Sequence, residues 1–327
     1  MPDYIEGRRA VEEALRAGVP ITRVLVQESA EGADAHARQG TSHADDATRP
    51  GGSGRGRGRK GARTPDAATG RGRQGRERGA HGAGRPATQD ALDPLVRRIR
   101  SASPDAVVRR VPKGELDAIS EHGMSHGAHQ GIVVEVPPFR YADIERIART
   151  GGSKPDSLVV MLDHVTDEGN LGAIIRTAEV VGADGVVIPS RRAAQVGVGV
   201  YKTSAGAALH LPVARVPNLS AAIATLKEAG YWVAGASEKA THDVWHAPLS
   251  GRIVLVMGSE GEGISRLVQQ NCDFLVSLPQ AGHVGSLNVA QATCAICYEW
   301  LRQCTLRRAE DAGADPASGA ARAGAGR

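Results

Sequence analysis

Three short blocks in the second half of the chain carry residue types that can steer a hydroxyl group. They run from Asn170 to Arg176 (Asn-Leu-Gly-Ala-Ile-Ile-Arg), from Gly258 to Gly263 (Gly-Ser-Glu-Gly-Glu-Gly) and from Ser286 to Asn288 (Ser-Leu-Asn). The last two each follow a short apolar run, and the first follows one after a polar loop. Because α/β folds bind ligands at the carboxyl ends of strands, we expect the blocks to form one site.

The Gly-rich block follows an apolar run that ends at Met257 and precedes a predicted helix. Such turns usually cradle phosphate with backbone N–H groups. This one does not match G-x-G-x-x-G, lacks the Lys of a P-loop, and places Glu260 and Glu262 where a pyrophosphate would lie. The loop therefore favours a nucleoside without phosphates, such as S-adenosylmethionine with its positive sulfonium. A tight turn beside a capped helix is the alternative interpretation.

The other two blocks place polar side chains at predicted helix starts. Asn170 and Asn288 are both candidates for N-caps, and Ser286 is a loop hydroxyl. Arg176 lies six residues after Asn170, within an otherwise apolar helix face. We expect an arginine placed in this way to need an acidic partner or a substrate phosphate.

Alternating strand and helix patterns organise the rest of the chain. Order is predicted over 3–29 and again from residue 92, with a strand at 131–136 that ends the first segment. In the second segment, strands fit 158–163, 186–189, 211–214, 231–235, 253–257 and 274–278, and helices fit 170–182, 219–229, 263–271 and 288–304. This alternation predicts an α/β fold with a mostly parallel sheet covered on both faces.

Composition narrows the class of protein. The chain has 327 residues, 41% of them hydrophobic, and four Cys, too few for a disulfide scaffold. No apolar run is long enough to cross a bilayer, and the first residues do not resemble a signal peptide. We therefore expect a cytoplasmic protein without a membrane partner.

The positive charge is concentrated in one segment. Residues 49–85 contain eleven Arg and Lys against two acidic residues, whereas the whole chain has a formal charge of +4. From about 31 to 90 the chain has no aliphatic periodicity, so we predict a disordered insertion there. Its Gly-Arg repeats are similar to segments that bind RNA without sequence preference. A solubilising linker is the alternative.

Five ordered matches give the chain a specific resemblance. The blocks Asn170 to Arg176, Met257 to Gly263 and Ser286 to Val289 resemble the three motifs of the SpoU/TrmH branch of the SPOUT RNA methyltransferases. Two intermediate stretches, Thr203 to Ala207 and Val276 to Pro279, agree as well. The first segment, which ends in His-Gln-Gly-Ile-Val at 129–133, resembles the L30e-like substrate-binding domain found ahead of the catalytic domain. The arrangement is similar to that of the 23S rRNA guanosine-2′-O-methyltransferases.

The resemblance implies a fold and a domain plan. The fold is a SPOUT α/β knot, a mostly parallel sheet with a deep trefoil knot, preceded by the small L30e-like α/β domain. The domains would be 1–137, with the insertion at about 31–90, then a linker at 138–156, the methyltransferase domain at 157–306 and a disordered tail at 307–327. A homodimer is expected, with both subunits completing the RNA site.

The resemblance also implies roles for individual residues. Methyl would pass from S-adenosylmethionine to a ribose 2′-hydroxyl of RNA, most simply a guanosine of 23S rRNA. The implied substrate and catalytic cluster is Asn170, Arg176, Glu260, Ser286 and Asn288. The residues implied to hold the cofactor are Met257, Gly258, Ser259, Leu278 and Leu287. Relatives often have Ser where this chain has Gly285, which leaves Ser286 as the motif hydroxyl.

Several alternatives stay open. The substrate could instead be a tRNA guanosine or an rRNA adenosine whose methylation protects against an antibiotic. A non-catalytic RNA-binding or ribosome-assembly protein is a second class, and a nicotinamide-dependent dehydrogenase is a third, disfavoured by the missing G-x-G-x-x-G. No metal is expected. Cys294 and Cys297 lie in an Ala-rich predicted helix, and the histidines at 122, 126 and 129 lie in a Gly-rich loop that we interpret as RNA-contacting or flexible.

Overall fold

A computed structural model of the chain describes residues 2–28, 89–121, 129–240, 242–259, 261–283 and 285–312. The strands are β1 Asp3–Glu6, β2 Arg23–Gln27, β3 Val107–Val111, β4 Ile132–Val136, β5 Ser157–Asp163, β6 Gly185–Pro189, β7 Val213–Val216, β8 Trp232–Ala236, β9 Arg252–Gly258 and β10 Phe274–Val276. The α-helices are α1 Arg8–Arg16, α2 Gln89–Ala102, α3 Lys113–Glu121, α4 Ile144–Gly152, α5 Glu168–Val180, α6 Val198–Thr203, α7 Leu219–Glu228, α8 Arg266–Gln269 and α9 Val289–Asp311.

The strands form two sheets. The first has the order β1-β4-β2-β3, with β4 antiparallel to both neighbours and β3 parallel to β2. The second has the order β10-β8-β9-β5-β6-β7, and all its pairings are parallel. This confirms the predicted α/β fold, in which a small mixed sheet precedes a parallel one. The trefoil knot stays a prediction.

The central strand β5 is buried along its whole length, which explains its continuous apolar sequence. Strands of a parallel sheet have both faces covered, so they need apolar side chains at successive positions. Burial of each Val, Leu or Met in β5 stabilises the fold by about 1.5–3 kcal/mol. β9, beside it, is likewise buried from Ile253 to Met257.

The two sheets share one hydrophobic core. It includes Ile5 of the first sheet, Leu158 of the second sheet and Tyr201 on α6. An acidic side chain also lies at this junction. Glu6 is 1% exposed, accepts a hydrogen bond from the Ser120 hydroxyl, and lies 3.3 Å from Nζ of Lys202. The first sheet is thus fixed to α6 by packing and by an ion pair whose carboxylate is buried and whose ammonium is partly exposed.

Glycine is required where α1 approaches the turn after α6. Gly206 has a φ of 88°, and a Cβ there would lie 2.5 Å from Cβ of Glu13. The absence of a side chain at Gly206 thus lets α1 lie close to the stretch from Thr203 to Ala207.

Several sequence expectations are corrected by the structure. The linker at 138–156 contains α4, with Ile147 buried. Residues 307–311, expected in a disordered tail, belong to α9, which continues to Asp311. The helix predicted at 263–271 is reduced to Arg266–Gln269, and β1 and α6 have no counterpart among the predictions. The insertion at about 31–90 lies outside the described residues, apart from the first two residues of α2. Within the part of the chain that is described, no helix is both long and apolar enough to span a membrane.

Asp156 explains why α9 is ordered beyond residue 306. This side chain is buried at the start of β5 and accepts hydrogen bonds from Arg307 and, at 2.7 Å, from Nε of Arg308. Burial raises the pKa of Asp156, but hydrogen bonds from Arg308 and Cys304 and the positive charges of both arginines outweigh it. The pKa of Asp156 therefore lies below its usual range.

We expect Asp156→Asn to lower the free energy of unfolding by about 2 kcal/mol at neutral pH, because charge-assisted hydrogen bonds are lost. Since the folded-state pKa is the lower one, this stabilisation is complete above the unfolded-state pKa and is lost as pH falls through the folded-state pKa. Urea unfolding of the wild type and of Asp156→Asn, measured from neutral to acid pH, should show that their free energies of unfolding converge. The exposed Asp105, changed to Asn, is the control. A difference that stays constant over this range would contradict the assignment.

Candidate functional site

A cavity of about 470 Å³ lies at the carboxyl edge of the parallel sheet, where β8, β9 and β10 end. Cavities of this size suit a nucleoside-sized molecule. The structure places at its wall all five residues expected to hold a cofactor, together with Ser286. Those five are Met257, Gly258, Ser259, Leu278 and Leu287. Their roles in cofactor binding stay predictions, but the fold brings all five to the wall of one cavity.

The loop after β9 folds back on itself to form one wall. Ser259 N donates to Gly263 O at 3.1 Å, and Gly263 N donates to Ser259 O at 3.0 Å. A Cβ at Gly258 would lie 2.0 Å from the carbonyl carbon of Gly263 and 2.2 Å from Ile264 N. Only glycine at 258 allows this approach, so the spacing of the block has a steric cause.

Asp163 anchors the end of that loop. It is the last residue of β5, is fully buried, and pairs in register with Gly258 on β9. Its Oδ2 accepts a hydrogen bond from Ser265 N at 2.7 Å, and its Oδ1 lies 2.6 Å from Nδ1 of His164. Sequence reasoning missed Asp163, although an acid that ends a buried apolar run is a signal for such a role.

The first and third blocks meet through their asparagines. Asn288 Nδ2 donates to Asn170 Oδ1 at 2.9 Å, across 118 positions of sequence. Asn288 also caps α9, since its Oδ1 accepts from Ala290 N at 2.9 Å. Asn170 is not an N-cap: Asp167 caps α5 and accepts from Asn170 N at 2.6 Å. The side-chain amide of Asn170 therefore joins the third block instead of capping its own helix.

Arg176 is exposed, contrary to the expectation of an arginine held within an apolar face. Ile174 and Ile175 beside it are fully buried, so the guanidinium projects from the outer side of α5. Among the described residues Arg176 forms no ion pair. Its guanidinium is open to solvent. Glu260, the remaining member of the expected cluster, lies outside the described residues.

The charges at the cavity wall are mainly acidic. Glu238 and Glu262 line it, with Lys239 as the cation, and apolar walls come from Ile264 and Val276. Two carboxylates disfavour a bound pyrophosphate and favour a neutral or cationic ligand. The charges at the cavity wall thus agree with the inference from the Gly-rich loop that the ligand lacks a pyrophosphate.

The expected loop role of His129 is wrong. His129 is 2% exposed; its Nδ1 accepts from Gly131 N at 3.0 Å, and its Nε2 lies 3.1 Å from Asp117 Oδ1. This histidine therefore fixes the entry to β4. The other two histidines of the group lie outside the described residues.

Cys297 is fully buried on α9, and burial raises the pKa of its thiol.

Two family models match the chain. Residues 157–298 match the SpoU rRNA methylase family, and residues 4–41 match a family described as RNA 2′-O ribose methyltransferase substrate binding. Among curated proteins, members of the TrmH family of tRNA/rRNA methyltransferases from Staphylococcus haemolyticus and Staphylococcus saprophyticus are 42% and 40% identical over 198 residues. The match covers 60% of this chain and 78% of each relative.

Solved structures show a similar fold. The SpoU methyltransferase AviRb from Streptomyces viridochromogenes, in complex with AdoMet, superposes with a TM-score of 0.61 at 23% identity, over 92% of this chain and 89% of that one. An AdoMet-bound rRNA methyltransferase from Sinorhizobium meliloti gives 0.62 at 21% identity, over 92% and 87%. At these identities the likeness concerns the fold alone.

We expect Gly258→Ala to open the turn between Ser259 and Gly263, because the new methyl group would occupy the position of Gly263 and Ile264. Amide hydrogen exchange at Ser259 and Gly263 should accelerate at least tenfold more than that of the core strands. Gly261→Ala is the matched control, since a Cβ at that position would have no heavy atom within 4 Å. Equal exchange in both variants would argue against a steric role for Gly258.

Proposed function

We propose that this chain, which belongs to the SpoU family of RNA methyltransferases, methylates the 2′-hydroxyl of a guanosine ribose in 23S rRNA with S-adenosylmethionine as the donor. Family membership makes it an RNA ribose 2′-O-methyltransferase. The observation that carries the proposal is the hydrogen bond between Asn288 and Asn170, which joins the first and third blocks next to the cavity formed by the loops after β9 and β10.

The cavity suits S-adenosylmethionine in size and charge. Glu238 and Glu262 favour a cationic sulfonium, and Gly258 keeps the loop close enough for backbone groups to face a nucleoside. When bound, this cofactor supplies an electrophilic methyl group. We propose that the loops around Met257, Ser259 and Leu278, together with Leu287 and Gly258, hold it.

The chemistry requires the ribose oxygen to be held in line and to give its proton to a base or to water as it gains the methyl group. A guanidinium does not release its proton in proteins, so a general-base role is unsuited to Arg176. We assign it instead to a substrate phosphate or to the negative charge that develops on the ribose oxygen. Its exposure and lack of an ion pair within the described residues agree with this role. Glu260, Ser286 and the two asparagines complete the proposed cluster.

The rRNA substrate is supported by the match of residues 157–298 to the SpoU rRNA methylase family. The first sheet includes part of the match to the RNA substrate-binding family, at residues 4–41, and supports an RNA substrate of either kind. The curated relatives are named for both tRNA and rRNA, so a tRNA guanosine is the second candidate. We propose that residues 1–137 form the domain that recognises RNA. The methyltransferase domain would run from 157 to 311, since α9 continues past the expected limit of 306.

We also propose a homodimer, as the family resemblance implies. Val180 on α5 and Tyr298 on α9 are 59% and 48% exposed, on two helices that pack against each other. Exposed apolar side chains on two packed helices are suited to contact a second copy of the chain.

Tyr298→Glu should convert the dimer to a monomer in sedimentation velocity, because a charge would be buried in the interface. Trp245→Glu, at an equally exposed apolar position between β8 and β9, is the control and should not change the oligomeric state. A wild-type protein that sediments as a monomer would reject the proposal.

Asn170→Ala and Arg176→Ala should each lower methyl transfer at least about 100-fold, because positioning and charge stabilisation are lost. Cofactor affinity measured by calorimetry should stay within about twofold. The exposed Glu179, changed to Ala on the same helix, should keep full activity. Near-normal turnover in either of the first two variants would reject their assigned roles.

The substrate itself is tested by tritium transfer from labelled S-adenosylmethionine to unmodified 23S rRNA and to unmodified tRNA, followed by mapping of the modified nucleotide. We expect one ribose-methylated guanosine in 23S rRNA. Incorporation into tRNA alone would support the second candidate, and no incorporation into any RNA would support a non-catalytic binding protein.

A further inference from the structure

The loop at 190–196 lies beside the proposed reaction site. It follows β6, which pairs in parallel with β5, so the two strands end at the same edge of the sheet. Ala194 N donates to Val165 O at 2.9 Å and thereby joins this loop to the segment that leads from β5 to Asn170. The loop is therefore at the same edge of the sheet as the segment that carries Asn170.

The loop backbone is braced by the amide of Gln195. Its Nε2 lies 3.4 Å from Pro189 O and 3.2 Å from both Ala193 O and Ala194 O. Each contact is long, but together they close the loop around one side chain. A loop closed in this way loses little further entropy when its exposed groups bind a ligand.

A second layer of contacts holds Gln195 in turn. Its Oε1 accepts from the hydroxyl of Tyr141 and from Nη1 of Arg215, both at 3.4 Å. The Tyr141 oxygen accepts from Val196 N at 3.0 Å, and the Arg215 guanidinium lies 4.4 Å from the centre of the Tyr141 ring. Burial raises the pKa of Tyr141, so its hydroxyl remains a donor at neutral pH.

Two arginines stand at the tip of this braced loop. Arg191 and Arg192 are both exposed, and neither forms an ion pair with a carboxylate among the residues that the structure describes. Arg192 has a φ of 55°, a left-handed conformation that costs a residue other than glycine about 1 kcal/mol. The surrounding contacts therefore maintain a strained backbone that presents two adjacent cations.

We propose that Arg191 and Arg192 bind backbone phosphates of the RNA next to the nucleotide that is methylated. Guanidinium groups pair with phosphate oxygens in a bidentate geometry, and contacts of this kind set the register of a nucleic acid without reading its sequence. The inference takes only the RNA substrate from the proposed function. It does not depend on which nucleotide is modified.

The test is the salt dependence of binding of a transcript of unmodified 23S rRNA to the double variant Arg191→Ala/Arg192→Ala. Affinity should fall about tenfold or more at low salt, and the slope of log K against log salt should become shallower by about 1.4–1.8, for two lost phosphate contacts. S-adenosylmethionine affinity and the melting temperature should not change. An unchanged slope would overturn the proposal.

Arg146→Ala/Arg149→Ala is the matched control, because it removes two exposed arginines from α4. An equal loss in this variant would show a general charge effect and overturn the proposal. Gln195→Ala keeps both arginines but releases the loop, so affinity should fall about threefold with an unchanged slope. Unchanged affinity would overturn the bracing role. Failure of the wild-type protein to bind RNA would instead contradict the proposed function.

Discussion

A single buried carboxylate, that of Asp163, fixes the geometry of the site. Burying a polar group is costly unless hydrogen bonds replace those made to water. Asp163 meets this requirement with Ser265 N–H on the far side of the Gly-rich loop and with His164. The end of the central strand and the end of the loop are thus held together by one side chain, and an apolar residue of the same shape would leave the Ser265 N–H without this acceptor.

The parallel sheet explains how distant blocks become one site. Every strand of the second sheet ends at the same edge, so loops that are far apart in sequence meet there. The contact between Asn170 and Asn288 and the close approach of Gly258 to Gly263 are both consequences of this arrangement. The same edge also carries the loop braced by Gln195.

The sequence indicated the parts of the structure that depend on local patterns. The buried strands β5 and β9 appear as continuous apolar runs, and Asn288 is a helix cap by its local position. It did not indicate the exposure of Arg176, the capping of α5 by Asp167 or the bracing by Gln195. These depend on which face of an element meets a partner that is distant in sequence, and periodicity does not encode that. α4 was missed because its nine residues follow Pro137 and Pro138 in a stretch that resembles a linker.

The ion pair between Glu6 and Lys202 limits how the two sheets can be exchanged in evolution. A replacement for the first sheet would have to bring a carboxylate to this position, or Lys202, whose side chain is 28% exposed, would lose its partner across the junction. It would also have to leave space at Gly206 for a helix like α1. The exposed edge strand β3 makes neither of these contacts, so its sequence is subject to neither constraint.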